Sequence, residues 1–141
     1  MMYNKYCDQE ATDWINSILA QYPDRIAVLL LHDYLLPNGN MKLHGQDAYD
    51  QIVTPNKNVR LVLCGHHYGY RIRTDTPDEN SERFVQTILC NRQYATGYQS
   101  PVVVLTVNPK TQELEIQIVP VLKPQYEILS ETIKIDLNSV K

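Results

Sequence analysis

The sequence predicts a mixed α/β (α+β) domain with two helices near the N-terminus and antiparallel strands after residue 69. Apolar residues recur at three- to four-residue spacing over 10–22 and again over 45–53, which predicts two amphipathic helices. The apolar run over 26–31 predicts a strand that is buried on both faces, and a second strand is predicted over Val59–Cys64. Because the order is helix, strand, helix, strand, we expect a βαβ-like crossover with the two strands parallel.

The second half of the chain has the character of a β-sheet. Alternating or apolar patterns predict five more strands, over 69–74, 84–90, 101–107, 113–121 and 132–137. The segment from Asn108 to Gln112 has the composition of a hairpin turn. We therefore expect Val102–Val107 and Leu114–Val119 to pair as an antiparallel hairpin, with Ile133–Leu137 as a short last strand.

The bulk composition is that of a single globular domain. The chain has 141 residues, 43% of them hydrophobic and 21% charged, which is ordinary for one domain. The formal net charge of −3 supplies no basic face for nucleic acid, and no apolar run reaches transmembrane length. The three cysteines, Cys7, Cys64 and Cys90, show no C-x-x-C spacing, which argues against a zinc knuckle or a disulfide framework.

Two histidines follow directly on the two predicted parallel strands. His32 comes after the apolar run 26–31, and His66 comes after Val59–Cys64 with Gly65 between. Neighbouring parallel strands end at the same edge of a sheet, where open α/β folds bind ligands. Imidazole is a common ligand of zinc, manganese and iron, so His32 and His66 are candidate metal ligands. Gly65 is expected to allow the sharp turn that brings His66 to this edge.

Different roles are expected for two other residues, His44 and Cys64. His44 precedes a predicted helix and is interpreted as an exposed loop residue. A Cys64–His66 nucleophile pair is a further hypothesis, but nothing in the sequence marks Cys64 as exposed or electropositive, as a reactive thiolate requires. Cys64 is interpreted as a small buried hydrophobic residue.

The blocks around these histidines resemble those of a known family, the calcineurin-like metallophosphoesterases. "VLLLHDYL" at 28–35 is similar to the fourth ligand block of that family, and "NVRLVLCGHHYG" at 58–69 is similar to its fifth, the Gly-His-x-His block. The resemblance runs from about Ala11 to Val121 and covers the C-terminal half of the family's domain. It implies half of a mixed β-sandwich, in which two sheets pack face to face with helices outside.

The resemblance implies two-metal phosphoester hydrolysis, in which the cations clamp the phosphate and activate a water molecule. His32 and His66 would bind one divalent metal (Mn, Fe or Zn), together with carboxylate and amide ligands from earlier blocks. Tyr68 stands where the family has its second histidine, and a neutral phenol is a poor ligand. His67 is adjacent, but in an extended backbone it would point to the opposite face and could replace that histidine only if the loop were shifted.

The Asp-x-His, Gly-Asp-x-x-Asp and Gly-Asn-His blocks of the family do not occur in this sequence. We therefore predict that residues 1–141 form a single partial domain, the C-terminal part, which has no catalytic residue of its own. Alone it is expected to bind metal weakly or not at all and to leave phosphoester substrates unhydrolysed. Its open faces predict pairing with the missing N-terminal half or with another copy as a homodimer. The localisation stays open, since the natural N-terminus is expected upstream.

Two other functions are compatible with the same residues. A non-catalytic, metal-free phosphoesterase-like scaffold that acts as a protein interaction module is favoured by Tyr68 and by the absent blocks. A small mononuclear metal protein would use His32, His66 and His67. In that protein Asp33 would be either a further ligand or an acceptor that orients one of the histidines.

Overall fold

Helices and two sheets form three layers in this protein. The computed structural model describes residues 8–78, 82–92, 101–122 and 129–138. Within these residues, two helices pack on one face of a four-stranded sheet, and a three-stranded sheet packs on its other face. The fold is therefore of the α+β class, as the sequence predicts.

The predicted elements agree with the observed ones to within a few residues in most cases. The helices are α1 (Gln9–Gln21) and α2 (Leu43–Ala48), and α2 continues into a π-helical turn, Tyr49–Val53. The strands are β1 (Ala27–Leu31), β2 (Val59–Cys64), β3 (Gly69–Asp75), β4 (Val85–Asn91), β5 (Pro101–Asn108), β6 (Glu113–Pro120) and β7 (Leu129–Lys134). Neither described helix is long and apolar enough to cross a membrane.

The first sheet has the strand order β1-β2-β4-β3. β1 and β2 are parallel, with Leu31 opposite Cys64, which confirms the predicted parallel pair. β4 is antiparallel to β3, as expected after residue 69, but it is also parallel to β2. β4 can pair with β2 because β3 lies at the outer edge of the sheet, which places β4 between β2 and β3.

The second sheet is an antiparallel meander with the order β5-β6-β7. The predicted hairpin is confirmed, since Val102 lies opposite Val119 and Val107 lies opposite Leu114. The last strand is Leu129–Lys134, so the predicted boundaries Ile133–Leu137 were wrong. Residues 135–138 lie outside the ladder, and the consecutive side chains of Ile135 and Asp136 are both buried.

Two hydrophobic clusters hold the layers together. The first lies between the helices and the first sheet, where Leu19, Ile52 and Val53 contact residues such as Val62 and Leu89. The second lies between the two sheets and contains the buried side chains Leu61, Ile88, Leu114, Ile116 and Ile135. The first sheet is therefore covered on both faces in its centre, and its carboxyl edge remains accessible.

β1 is an edge strand, and this position overturns the prediction that it is buried on both faces. Ala27, Leu29 and Leu31 point toward the helical layer. Val28 and Leu30 point the other way and are 49% and 77% exposed. One face of a strand at the edge of a sheet stays exposed when the opposing sheet does not extend over that strand.

Candidate metal centre

His32 and His66 meet at the carboxyl edge of the first sheet. Because β1 and β2 are parallel and in register up to Leu31 and Cys64, the residues that follow them emerge side by side. His32 Nε2 lies 2.8 Å from His66 Nδ1, and the two ring centroids are 4.7 Å apart. The backbone pairing extends one step further, since Gly65 N–H donates to the His32 carbonyl oxygen at 3.1 Å.

The spacing of the two imidazole nitrogens is compatible with a shared cation. Two nitrogens bound to one zinc ion at about 2.0–2.1 Å each would stand roughly 3.3 Å apart in tetrahedral geometry. The observed 2.8 Å suits a hydrogen bond between one protonated and one unprotonated ring nitrogen. If these two nitrogens moved apart by about half an ångström, both could bind one ion.

Asp33 forms a second set of contacts beside this pair. Its Oδ1 accepts a hydrogen bond from His67 Nε2 at 2.7 Å, and its Oδ2 accepts one from Lys42 Nζ at 3.0 Å. The Asp33 side chain is only 5% exposed, so this carboxylate lies inside the protein with both oxygens engaged. Burial acts to raise the pKa of Asp33, but the hydrogen bonds from Lys42 and His67 outweigh it and hold that pKa below its usual value.

A tight turn at His66 brings His67 into the same region. His66 has φ of 60°, in the left-handed region that β-sheet residues avoid. The N–H of His67 donates to the Gly65 carbonyl oxygen at 2.7 Å and closes a three-residue turn, while Asn91 Nδ2 donates to the His66 carbonyl oxygen at 2.8 Å. One possible ligand atom from each of Asp33, His66 and His67 lies within 4.8 Å of the others.

The condition under which His67 was expected to point away, an extended backbone after β2, is therefore not met. The left-handed conformation of His66 ends the alternation of sides. The expected role of Gly65 was wrong. A β-carbon built on Gly65 meets nothing within 4 Å, and the positive φ belongs to His66. Tyr68, the position of the family's second histidine, is 47% exposed.

Three residues singled out from the sequence, His32, His44 and Cys64, are not members of this three-residue cluster. His44 lies in the first turn of α2, one residue inside the helix and not in the loop before it, and its Nδ1 is 3.9 Å from Asp47 Oδ2. Cys64 is buried, and this burial raises the pKa of its thiol to about 11. A thiol of that pKa is protonated at neutral pH, which argues against the Cys64–His66 nucleophile pair. Cys7 lies outside the described residues.

Lys42 and Asn91 contact residues of the site but were not predicted from the sequence. Lys42 immediately precedes α2 and reaches back to Asp33, nine residues earlier. Asn91 ends β4 and reaches His66 because β4 is parallel to β2 and ends at the same edge. The Asn91 contact could have been found only by predicting that parallel pairing, which no local pattern indicates.

Comparisons with known proteins place this stretch within a longer relative and assign no function. No protein-family model matches the chain, and no solved structure matches it. A protein of Bacillus subtilis (strain 168), which carries the name uncharacterized protein YvnB, is 38% identical over 84 residues. The matched residues make up 57% of this chain and 6% of that protein, so the chain spans a small part of its relative.

Proposed function

We propose that this chain is the C-terminal part of a metal-dependent phosphoester hydrolase of the calcineurin-like type, in which His32 and His66 are metal ligands. The observation that carries this proposal is the 2.8 Å approach of the two imidazoles at the carboxyl edge of the sheet. It supports the resemblance of the blocks around both residues, because two ligands of one ion must converge from separate strands. In the whole protein the substrate would be a phosphoester.

The donor set suits a divalent transition metal. Imidazole nitrogens with a nearby carboxylate are accepted by zinc, manganese and iron. A bound cation of this kind would polarise a phosphoryl oxygen and lower the pKa of a coordinated water molecule. His32 and His66 are both exposed at the edge, so an ion between them could be approached from solvent.

The described residues supply too few donors for the complete reaction. A two-metal centre needs bridging carboxylates, and the one carboxylate in the cluster, Asp33, is already bonded to Lys42 and His67. We therefore infer that the isolated chain binds one divalent ion at most and does not turn over substrate. The remaining ligands would come from an N-terminal half or from another chain.

The test combines metal binding with hydrolysis by the purified 141-residue chain. Isothermal titration with Mn²⁺ or Zn²⁺ should show binding that is lost in His66→Ala and in His32→Ala. Hydrolysis of a chromogenic phosphodiester with Mn²⁺ should not exceed that of the His66→Ala control. Equal metal binding by all three proteins would overturn the proposal. Turnover that disappears in the control would show that the chain, alone or as an oligomer, forms a working site, against the inferred inactivity.

A non-catalytic interaction module is the second candidate, and the exposed face of β1 favours it. Val28 and Leu30 form an apolar surface on an edge strand, which is typical of a site where another chain docks. The coding sequence upstream of Met1 separates the two candidates. In-frame Asp-x-His and Gly-Asp-x-x-Asp blocks would support the hydrolase, and their absence would favour the module.

A further inference from the structure

We infer that His67 supplies the third imidazole of the metal site. Asp33, which accepts a hydrogen bond from Lys42, is the positioning residue that holds His67 in place. This inference deepens the proposed function, because it assumes that His32 and His66 bind a divalent ion. It departs from the pattern that the resemblance implies, in which a further imidazole, at the position that Tyr68 occupies, would bind the other metal. Three sets of contacts at the edge of the first sheet support this assignment.

The first set is the turn at His66. In an extended strand, His66 and His67 would point to opposite faces. The left-handed φ of 60° at His66 removes this alternation, and the two ring centroids lie 4.8 Å apart. Left-handed backbone in a residue other than glycine is uncommon and persists where neighbouring contacts hold it. Here those contacts are the Asn91 hydrogen bond to the His66 carbonyl and the bond between His67 N–H and the Gly65 carbonyl.

The second set defines which nitrogen of His67 is free to bind a cation. An ionised carboxylate can only accept hydrogen bonds, so the 2.7 Å contact between Asp33 Oδ1 and His67 places the proton on Nε2. The neutral ring then carries its lone pair on Nδ1. A carboxylate that fixes the tautomer of a histidine in this way is a recurrent support of metal-binding imidazoles.

The third set of contacts favours Asp33 as the support of the ligand His67. Its second oxygen, Oδ2, accepts from Lys42 Nζ at 3.0 Å. Each Asp33 oxygen thus already accepts a hydrogen bond, so Lys42 and His67 together set the orientation of the carboxylate. The Asp33 side chain is 5% exposed and that of His67 is 22% exposed, so the carboxylate lies behind the imidazole and the imidazole is nearer to solvent.

The contrast between His67 and Tyr68 supplies the main test, a titration of the 141-residue chain with Co²⁺. His67→Ala is expected to weaken Co²⁺ binding by at least about 10-fold, and Tyr68→Phe is expected to leave it unchanged. Asp33→Asn, which keeps the size of the side chain, should weaken binding by about 10- to 100-fold. It should also change the visible cobalt spectrum at saturation, while the melting temperature in chelator stays close to that of the unmodified chain. A spectral change is the outcome that a purely structural role for Asp33 would not produce.

NMR of the unmodified chain tests the same assignment without depending on whether a variant folds. Long-range proton–nitrogen NMR of the metal-free chain should show His67 protonated at Nε2, and added Zn²⁺ should shift Nδ1. A Zn²⁺ shift at Nε2, or at neither nitrogen of His67, would overturn the inference.

These measurements also distinguish a failure of this inference from a failure of the proposed metal site on which it depends. If Tyr68→Phe loses affinity while His67→Ala binds normally, the assignment of His67 is wrong and the proposed metal site stands. If His32→Ala and His66→Ala also bind as tightly as the unmodified chain, the metal site itself is wrong.

Discussion

At the scale of single residues, Gly45 lies in α2 against the backbone of Tyr34, and the contact leaves no room for a side chain. A β-carbon at Gly45 would overlap the Tyr34 carbonyl oxygen and would stand 3.0 Å from the carbonyl carbon. Backbone atoms cannot swing aside as a flexible side chain can. At Gly65, between β2 and His66, the same added atom meets nothing within 4 Å. The glycine that the motif emphasises is therefore sterically dispensable, and the one in the helix is not.

The substitution Gly45→Ala is expected to destabilise the protein by about 1–2 kcal/mol. Alanine is favoured over glycine in a helix by about 1 kcal/mol. Overpacking a tight contact costs about 1–3 kcal/mol, so the steric term should dominate. Urea denaturation measures the difference in the free energy of unfolding. Gly65→Ala is the matched control and should stay within about 0.5 kcal/mol of the unmodified chain. A Gly45→Ala protein as stable as the control would show that α2 can shift away from Tyr34.

At the scale of elements, two buried arginines join segments that are distant in sequence. The Arg83 guanidinium donates to the carbonyl oxygens of Val53 (2.7 Å) and Asn56 (3.0 Å), which satisfies acceptors at the end of the second helix. Arg60 lies in β2 where its register with β1 shifts, and its Nε is 3.0 Å from Asp136 Oδ2. The Arg60 and Asp136 side chains are 5% and 3% exposed, so this ion pair connects the first sheet to the segment that follows β7.

Removing one partner of this ion pair should be costly. Asp136→Leu is expected to destabilise the protein by about 3–5 kcal/mol, because it leaves the buried Arg60 charge without the carboxylate that pairs with it. The double substitution Arg60→Met with Asp136→Leu should recover most of that loss, since it removes both charges. Urea denaturation of the four proteins of this cycle gives the coupling free energy.

The control for that cycle is Glu113→Gln. It breaks the exposed contact between Glu113 and Lys134 (2.8 Å) and should leave the unfolding midpoint nearly unchanged. If Asp136→Leu has an equally small effect, Arg60 must reach solvent when its partner is lost.

At the scale of the whole molecule, the first sheet ends at β1 on one side as far as the described residues show. β1 has β2 as its only partner in the described sheet, and its outer face carries Val28 and Leu30. A strand with a free edge and an apolar face is prone to pair with another chain. The predicted homodimer, or pairing with a missing half, thus stays a prediction to which the structure adds a specific surface.

Leu30→Lys is expected to weaken self-association of the chain without destabilising its fold. Leu30 is 77% exposed, so the substitution removes little core packing. Burial of a leucine side chain is worth about 1.5 kcal/mol or more, so its loss should raise the dissociation constant of a dimer about 10-fold or more. Size-exclusion chromatography with light scattering over a concentration series measures this change.

The control for Leu30 is Leu43→Lys. Leu43 is 76% exposed but belongs to α2, in the layer on the opposite face of the sheet. This variant should associate as the unmodified chain does. A chain that stays monomeric at every concentration would contradict the prediction of a homodimer.

Local patterns in the sequence determined the helices, most of the strands and the approach of two histidines. Apolar periodicity depends on near neighbours, so it located both helices, β2 and the β5–β6 hairpin to within a few residues. His32 and His66 could be paired because parallel strands end at the same edge, a rule that requires only the order of elements.

The remaining features were decided by contacts between residues far apart in the chain. The exposure of Val28 and Leu30 depends on the strand order, which places β1 at an edge. The position of His67 depends on the left-handed turn at His66, which Asn91 holds from 25 residues away. Local periodicity carries no information about such partners, and a turn of this kind costs free energy that only the assembled edge of the sheet can offset.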